Sequence, residues 1–188
     1  MIISISGSQS SGKTTILNML KDKGLNVIQR KTSRSILTDW GVTLDQINND
    51  PHLTNKFQHE IILRKYQDEL TAHLDQQNIW FTERTYSDLM TYFLIVLGKN
   101  NEFSTHINEY YSSCIRYQQT YDKVFYLKAG HFIPEDDGVR GSNVHYSRMV
   151  DLIMLDFTTQ MTSVDKLTVI QTPCLQQRLD IILAHSGL

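Results

Sequence analysis

The eight residues Gly7-Ser8-Gln9-Ser10-Ser11-Gly12-Lys13-Thr14 fit the pattern G-x-x-x-x-G-K-[ST]. They follow directly on Met1-Ile2-Ile3-Ser4-Ile5-Ser6, a β-branched run that reads as a buried strand. Strand, glycine-bounded turn and helix in that order leave few folds open. The glycines let the backbone curl until successive N–H groups point inward, and the helix opening near Lys13 adds its positive dipole end. Such a cradle is built for phosphate, and the spacing identifies a nucleoside triphosphate site lined by Gly7, Ser8, Gln9, Ser10, Ser11, Gly12, Lys13, Thr14 and Thr15. Lys13 is expected in a solvated position, bridging the β- and γ-phosphates, with the Thr14 hydroxyl holding Mg²⁺. ATP and Mg²⁺ are the expected cofactors.

The rest of the chain repeats this alternation of strand and helix, which predicts an α/β fold: a five-stranded parallel sheet with helices on both faces. Strands are expected at about 1–6, 25–29, 78–82, 123–128 and 166–171. Helices are expected over Lys13–Lys23, Ser33–Trp40, Thr54–Gln77, Tyr86–Leu97, Ser104–Gln118, Asn143–Met161 and Cys174–Ala184. In Thr54–Gln77, Phe57, Ile61, Ile62, Lys65, Asp68 and Glu69 recur at helical spacing, which predicts one apolar face and one solvated face. The stretch Ala129–Ser142, rich in Gly, Pro and Asp, interrupts the pattern and reads as a mobile loop, with a lid expected over about 129–150. No linker or repeat divides the 188 residues, so one domain is expected.

A formal charge of −2 argues against a protein that coats nucleic acid. Cys114 and Cys174 form no C-x-x-C pair, so neither a disulfide framework nor a zinc site is indicated. No signal peptide and no membrane-spanning apolar run is seen, and the expectation is a soluble cytoplasmic protein.

Open α/β sheets bind ligands at the carboxyl ends of their strands. After the second strand stand Arg30, Lys31 and Arg34, cations that oppose the dipole of the helix they precede and so call for an anionic partner such as a phosphoryl acceptor. After the third come Glu83, Arg84 and Asp88. Glu83 is suited to hold Mg²⁺ or to take the acceptor's proton, Arg84 to meet the transferring phosphate, and Asp88, one helical turn on, to orient Arg84 or the acceptor. After the fourth, Lys128 leads to Glu135-Asp136-Asp137-Gly138-Val139-Arg140. Arg140 reads as the lid arginine, Arg148 as a further substrate contact, and His131 and His145 as surface or hydrogen-bonding residues.

On these residues the chain resembles the AAA-type P-loop kinases that include the ribosylnicotinamide kinase domain of NadR and many bacteriophage nucleotide kinases, within the thymidylate-kinase-like group. The resemblance is carried by Gly7–Thr14, Arg34, Phe57-Gln58, Glu83-Arg84-Thr85-Tyr86-Ser87-Asp88 with Tyr92, the strand Asp122–Leu127, and Asp136-Asp137-Gly138-Val139-Arg140. It implies a P-loop kinase fold with a lid and Mg²⁺-dependent phosphoryl transfer from ATP to a nucleotide or nucleoside. Glu83-Arg84 stands where the family usually has Asp-Arg, and Gln29-Arg30-Lys31 where many nucleoside-phosphorylating relatives have a carboxylate. The basic edge favours a nucleoside monophosphate as acceptor. The alternatives are 5-hydroxymethyluracil within DNA, a nucleoside or nicotinamide riboside, and an ATP-hydrolysing switch protein without an acceptor.

Overall fold

A computed structural model describes residues 1–28, 33–130 and 143–188. Five parallel strands form one sheet in the order β2-β3-β1-β4-β5: β1 Ile2–Ser6, β2 Asn26–Val27, β3 Trp80–Glu83, β4 Lys123–Leu127 and β5 Leu167–Ile170. β1 is central and wholly buried because it is covered on both faces, which explains its near-continuous apolar run. Side chains alternate across it. Ile3 and Ile5 join Phe81, Phe125 and Leu127 beneath α1 (Lys13–Asp22) and α8 (Leu175–Ser186). Ile2 and Val124 face the opposite layer, built from α4 (Pro51–Leu74), α5 (Tyr86–Leu97) and α6 (Ser104–Gln118) around Phe57, Phe93 and Tyr110. Helices therefore cover both faces, as the alternation predicts. Cys114 is a buried free thiol and Cys174 an exposed one.

One helix is unexpected and another starts earlier than its hydrophobic period suggests. After α2 (Ser33–Trp40), a short α3 spans Leu44–Asn49, where no helix is expected from hydrophobic period. Its signal is a capping box: the Thr43 hydroxyl accepts from the Gln46 N–H while the Gln46 side chain accepts from the Thr43 N–H. α4 starts at Pro51 rather than Thr54, because the Asp50 carboxylate caps the His52 and Leu53 amides and proline is preorganised for the first helical position. α4 does present one exposed face, with Lys56, Tyr66 and Gln67 toward solvent, but its buried face carries Lys65 and Glu69 together with Phe57 and Ile61. α4 packs against α2, α3, α5 and α6, and Lys65 and Glu69 meet the Thr82 hydroxyl of β3 rather than water. α7 runs Val144–Met161, capped by the Asn143 side chain. Among the described residues, no helix is long and apolar enough to cross a membrane.

Candidate active site

The phosphate loop has the backbone its sequence demands. Gly7 adopts φ +138°, and a Cβ there would stand 2.5 Å from the Leu127 carbonyl oxygen, so only glycine fits. Ser10 (φ 56°) and Gly12 (φ 87°) complete the curl. Gly12 begins α1 without a capping side chain, which leaves the work of satisfying the first amides to the loop and whatever anion it holds. Thr14 and Thr15 are exposed on the first turn. Lys13 corrects the expectation of a solvated side chain: it is 5% exposed, and its ammonium donates to the Ser8 carbonyl at 2.6 Å and to the Ser11 hydroxyl at 3.2 Å. The side chain folds back across its own loop, so its stem is shielded while its charge stays inside the cradle.

The third strand ends beside the strand that feeds this loop. Glu83 lies in register with Ile5, one residue before the end of β1, and is half-buried. Arg84 follows at φ 66°, a left-handed conformation that a non-glycine residue keeps only when its surroundings hold it. Both flanks are held: the Arg84 N–H donates to the Ile5 carbonyl at 2.9 Å, and the Ser4 hydroxyl donates to the Arg84 carbonyl at 2.7 Å. Its guanidinium lies 5.2 Å from the centre of the Tyr92 ring. Burial works against the charge, but Tyr92 and the carboxylates of Glu83 and Asp88 outweigh it and raise the Arg84 pKa. Arg84 is therefore a permanent cation. Among the described residues its Nη1 is buried with no hydrogen-bond partner, which marks a donor suited to an incoming anion.

Asp88 is fully buried, and its Oδ1 accepts from the Ser6 and Thr85 hydroxyls, tying the last residue of β1 to the first turn of α5. Its Oδ2 is buried without a partner. Gln118, at the end of α6, accepts through Oε1 from the Tyr86 and Ser87 amides, so α5 starts on a rigid seat.

On the other side, α7 and α8 grip the loop through residues that sequence pattern did not single out. Asp151 Oδ1 accepts from the Ser8 hydroxyl at 3.2 Å, the Tyr126 hydroxyl at 2.8 Å and the Ala129 N–H at 3.3 Å, and the Gln9 amide donates to the Ser147 hydroxyl at 2.8 Å. Burial, then the Asp151 charge and hydrogen bond, push the Tyr126 phenol far up, so it stays a donor. Arg178, with no exposed surface, donates to three carbonyls that close the strand ends: Ser11, Lys128 at 3.2 Å and Thr172 at 2.6 Å. A signal for Arg178 existed, since a cation in the first turn of a helix opposes the dipole, the same argument that singled out Arg34.

Of the remaining candidates, Arg34 is exposed on the first turn of α2, and Arg148 is exposed on α7 next to Ser147. His145 is exposed on the first turn of α7. Arg30 and Lys31, with Gln29, and Arg140, with His131 and the Glu135–Gly138 run, lie outside the described residues.

A protein-family model described as an AAA domain matches residues 2–172, nearly the whole chain. The chain belongs to this AAA-domain family. Its fold is that of the P-loop kinases: deoxyadenosine kinase from M. mycoides with bound dATP superposes with a TM-score of 0.72 at 16% identity, covering 100% of both chains. The same enzyme with bound dCTP gives 0.69 at 17% identity, covering 100% of this chain and 99% of that one. NadR in complex with NR gives 0.69 at 14% identity, covering 100% of this chain and 52% of that one. Among curated proteins, no sequence matches this member of the family.

Proposed function

We propose that this AAA-domain protein is an ATP- and Mg²⁺-dependent kinase that phosphorylates a nucleoside hydroxyl. The observation that carries the proposal is the pairing of chemistry at the end of β3: the Glu83 carboxylate in register with the strand that feeds the phosphate loop, followed by a constrained Arg84 with a buried, unpartnered donor. A carboxylate serves an acceptor that must lose a proton, whereas beside a dianionic monophosphate it would add like-charge repulsion. The full-length superposition on a deoxyadenosine kinase supports the same acceptor class.

In this reading the curled loop amides hold the β-phosphate and Lys13 turns its ammonium from Ser8 and Ser11 to the β- and γ-phosphates. The Thr14 hydroxyl, exposed on the first turn of α1, suits Mg²⁺, which needs one or two hard oxygen ligands from the protein beside phosphate oxygens and water. When bound, the ion neutralises charge on the phosphate oxygens. Glu83 accepts the hydroxyl proton as the acceptor oxygen bonds to the γ-phosphorus and the bond to the β–γ bridging oxygen breaks, leaving ADP. Arg84 offers its free donor to the transferring phosphoryl group, and Asp88 keeps Arg84 and α5 aligned. Arg140 would supply the closing cation of the lid.

A second reading, a nucleoside monophosphate as acceptor, is favoured by the exposed Arg34 at the α2 start, where a cation gains from an anionic partner. Incubation with γ-labelled ATP, Mg²⁺ and a panel of nucleosides, monophosphates, nicotinamide riboside and DNA with or without 5-hydroxymethyluracil decides between them. Label on a nucleoside supports the proposal. Label only on monophosphates or on modified DNA replaces it, and label only in inorganic phosphate would indicate a hydrolysing switch.

A further inference from the structure

α4 carries an ion pair sealed from water. Lys65 Nζ and Glu69 Oε1 are 2.6 Å apart, with side chains 0% and 1% exposed. Two buried charges are costly unless further bonds satisfy them, and an apolar pair would commonly serve stability as well. Glu69 collects such bonds from Thr82 Oγ1 at 2.8 Å, from the Tyr86 hydroxyl at 2.9 Å and from the Tyr121 hydroxyl at 3.1 Å. Lys65 lies 5.4 Å from the Tyr86 ring centre, and its ammonium also donates to the Thr82 hydroxyl at 3.5 Å and to the main-chain carbonyl of Glu83 at 3.2 Å.

That carbonyl belongs to the peptide joining Glu83 to Arg84. The N–H of the same peptide donates to Ile5, so the neighbouring strand holds one side and the buried ammonium holds the other. The next backbone torsion is the left-handed φ of Arg84, the point where the chain would relax if either hold were released.

We propose that Lys65 is a positioning residue for phosphoryl transfer. Clamped by Glu69, it fixes the Glu83–Arg84 peptide so that the carboxylate and guanidinium stay aimed at the phosphate loop. The inference rests on Glu83 and Arg84 being the chemical centre. Lys65 is too deeply buried to touch ATP or acceptor, so its loss should slow the chemical step without weakening binding.

The test compares Lys65→Met, Lys65→Met/Glu69→Gln and Glu83→Gln, reading kcat, both KM values and melting temperature. Lys65→Met leaves a lone buried carboxylate and should lose stability as well as activity. The double variant removes both charges but keeps an amide for Thr82 and the tyrosines, so its melting temperature should return close to that of the wild type. Its kcat should remain about tenfold to a hundredfold low, with KM for ATP and acceptor within about twofold. Recovery of kcat together with melting temperature would make the pair a stability element and overturn the proposal, as would a KM that rises in step with the lost kcat. Glu83→Gln separates the two levels. If it turns over normally, the reading of the site fails. If it is inactive while the double variant is fully active, only the role of Lys65 fails.

Discussion

The two flanks of the phosphate loop are held by opposite strategies. On the β3 flank, a lysine–carboxylate pair from one helix is sunk beneath the strand, ringed by Tyr86 and Tyr121, and spends one donor on the peptide ahead of Arg84. On the β4–β5 flank, Arg178 reaches backbone carbonyls of Ser11, Lys128 and Thr172, and Asp151 gathers Ser8, Tyr126 and Ala129. The first arrangement fixes two reactive side chains, the second fixes the shape of the cradle. Damage to the β3 flank should therefore appear in turnover, and damage to the β4–β5 flank in nucleotide affinity and stability.

The largest effect is expected where the flanks meet. Lys13→Met keeps the buried stem but removes the charge, and turnover should fall about a thousandfold or more with little change in melting temperature. Near-normal turnover would remove the basis for contrasting the flanks at all. Next comes Arg178→Met, which strands three carbonyls: a loss of about 3 kcal/mol, roughly 10 °C in melting temperature, with ATP affinity lowered about tenfold and kcat at saturation nearly kept. Thermal melts with and without ATP, beside saturation kinetics, check this. A variant that binds ATP normally but turns over slowly would erase the contrast. Asp151→Asn keeps an acceptor for Tyr126 and should cost only about 1 kcal/mol, whereas Asp151→Ala, which orphans three donors, should cost about 2 kcal/mol by urea unfolding.

The smallest effect lies away from both flanks. Half-burial, then the charge of His106, hold the His59 pKa below the ordinary 6.5, against a smaller upward pull from Glu109. The unfolded chain thus takes up the proton at higher pH than the folded one, so this contribution is intact above about pH 6.5 and is lost as pH falls below it. His59→Gln should flatten that acid limb without changing turnover at neutral pH, and an unchanged limb would assign the acid sensitivity to other groups.

The fold is largely legible because its central strands β1 and β4 are buried and its glycines mark the turns. β1 and the loop from Gly7 to Thr14 are local signals, and Glu83 could be set beside them because strand ends converge in a parallel sheet. What stayed hidden depends on tertiary partners. Periodicity sets Lys65 and Glu69 at helical spacing with Phe57 and Ile61, but nothing local says that Thr82, Tyr86 and Tyr121 will surround them. Asp151 reaches Ser8, Tyr126 and Ala129, and Arg178 reaches Ser11 and Lys128, all more than twenty residues away, through contacts that no spacing rule encodes. α3 was missed for a different reason: six residues are too short to show a hydrophobic period, although the capping box at Thr43 and Gln46 announced it.

The central claim is that the end of β3 performs the transfer. Its most direct test is a single-turnover measurement with γ-labelled ATP, comparing wild type and Glu83→Gln at equal, saturating ATP occupancy and with the acceptor that the panel identifies. Label should pass to the acceptor at least about a hundredfold more slowly in Glu83→Gln, with ATP binding unchanged. Equal rates of transfer in the two proteins would contradict it.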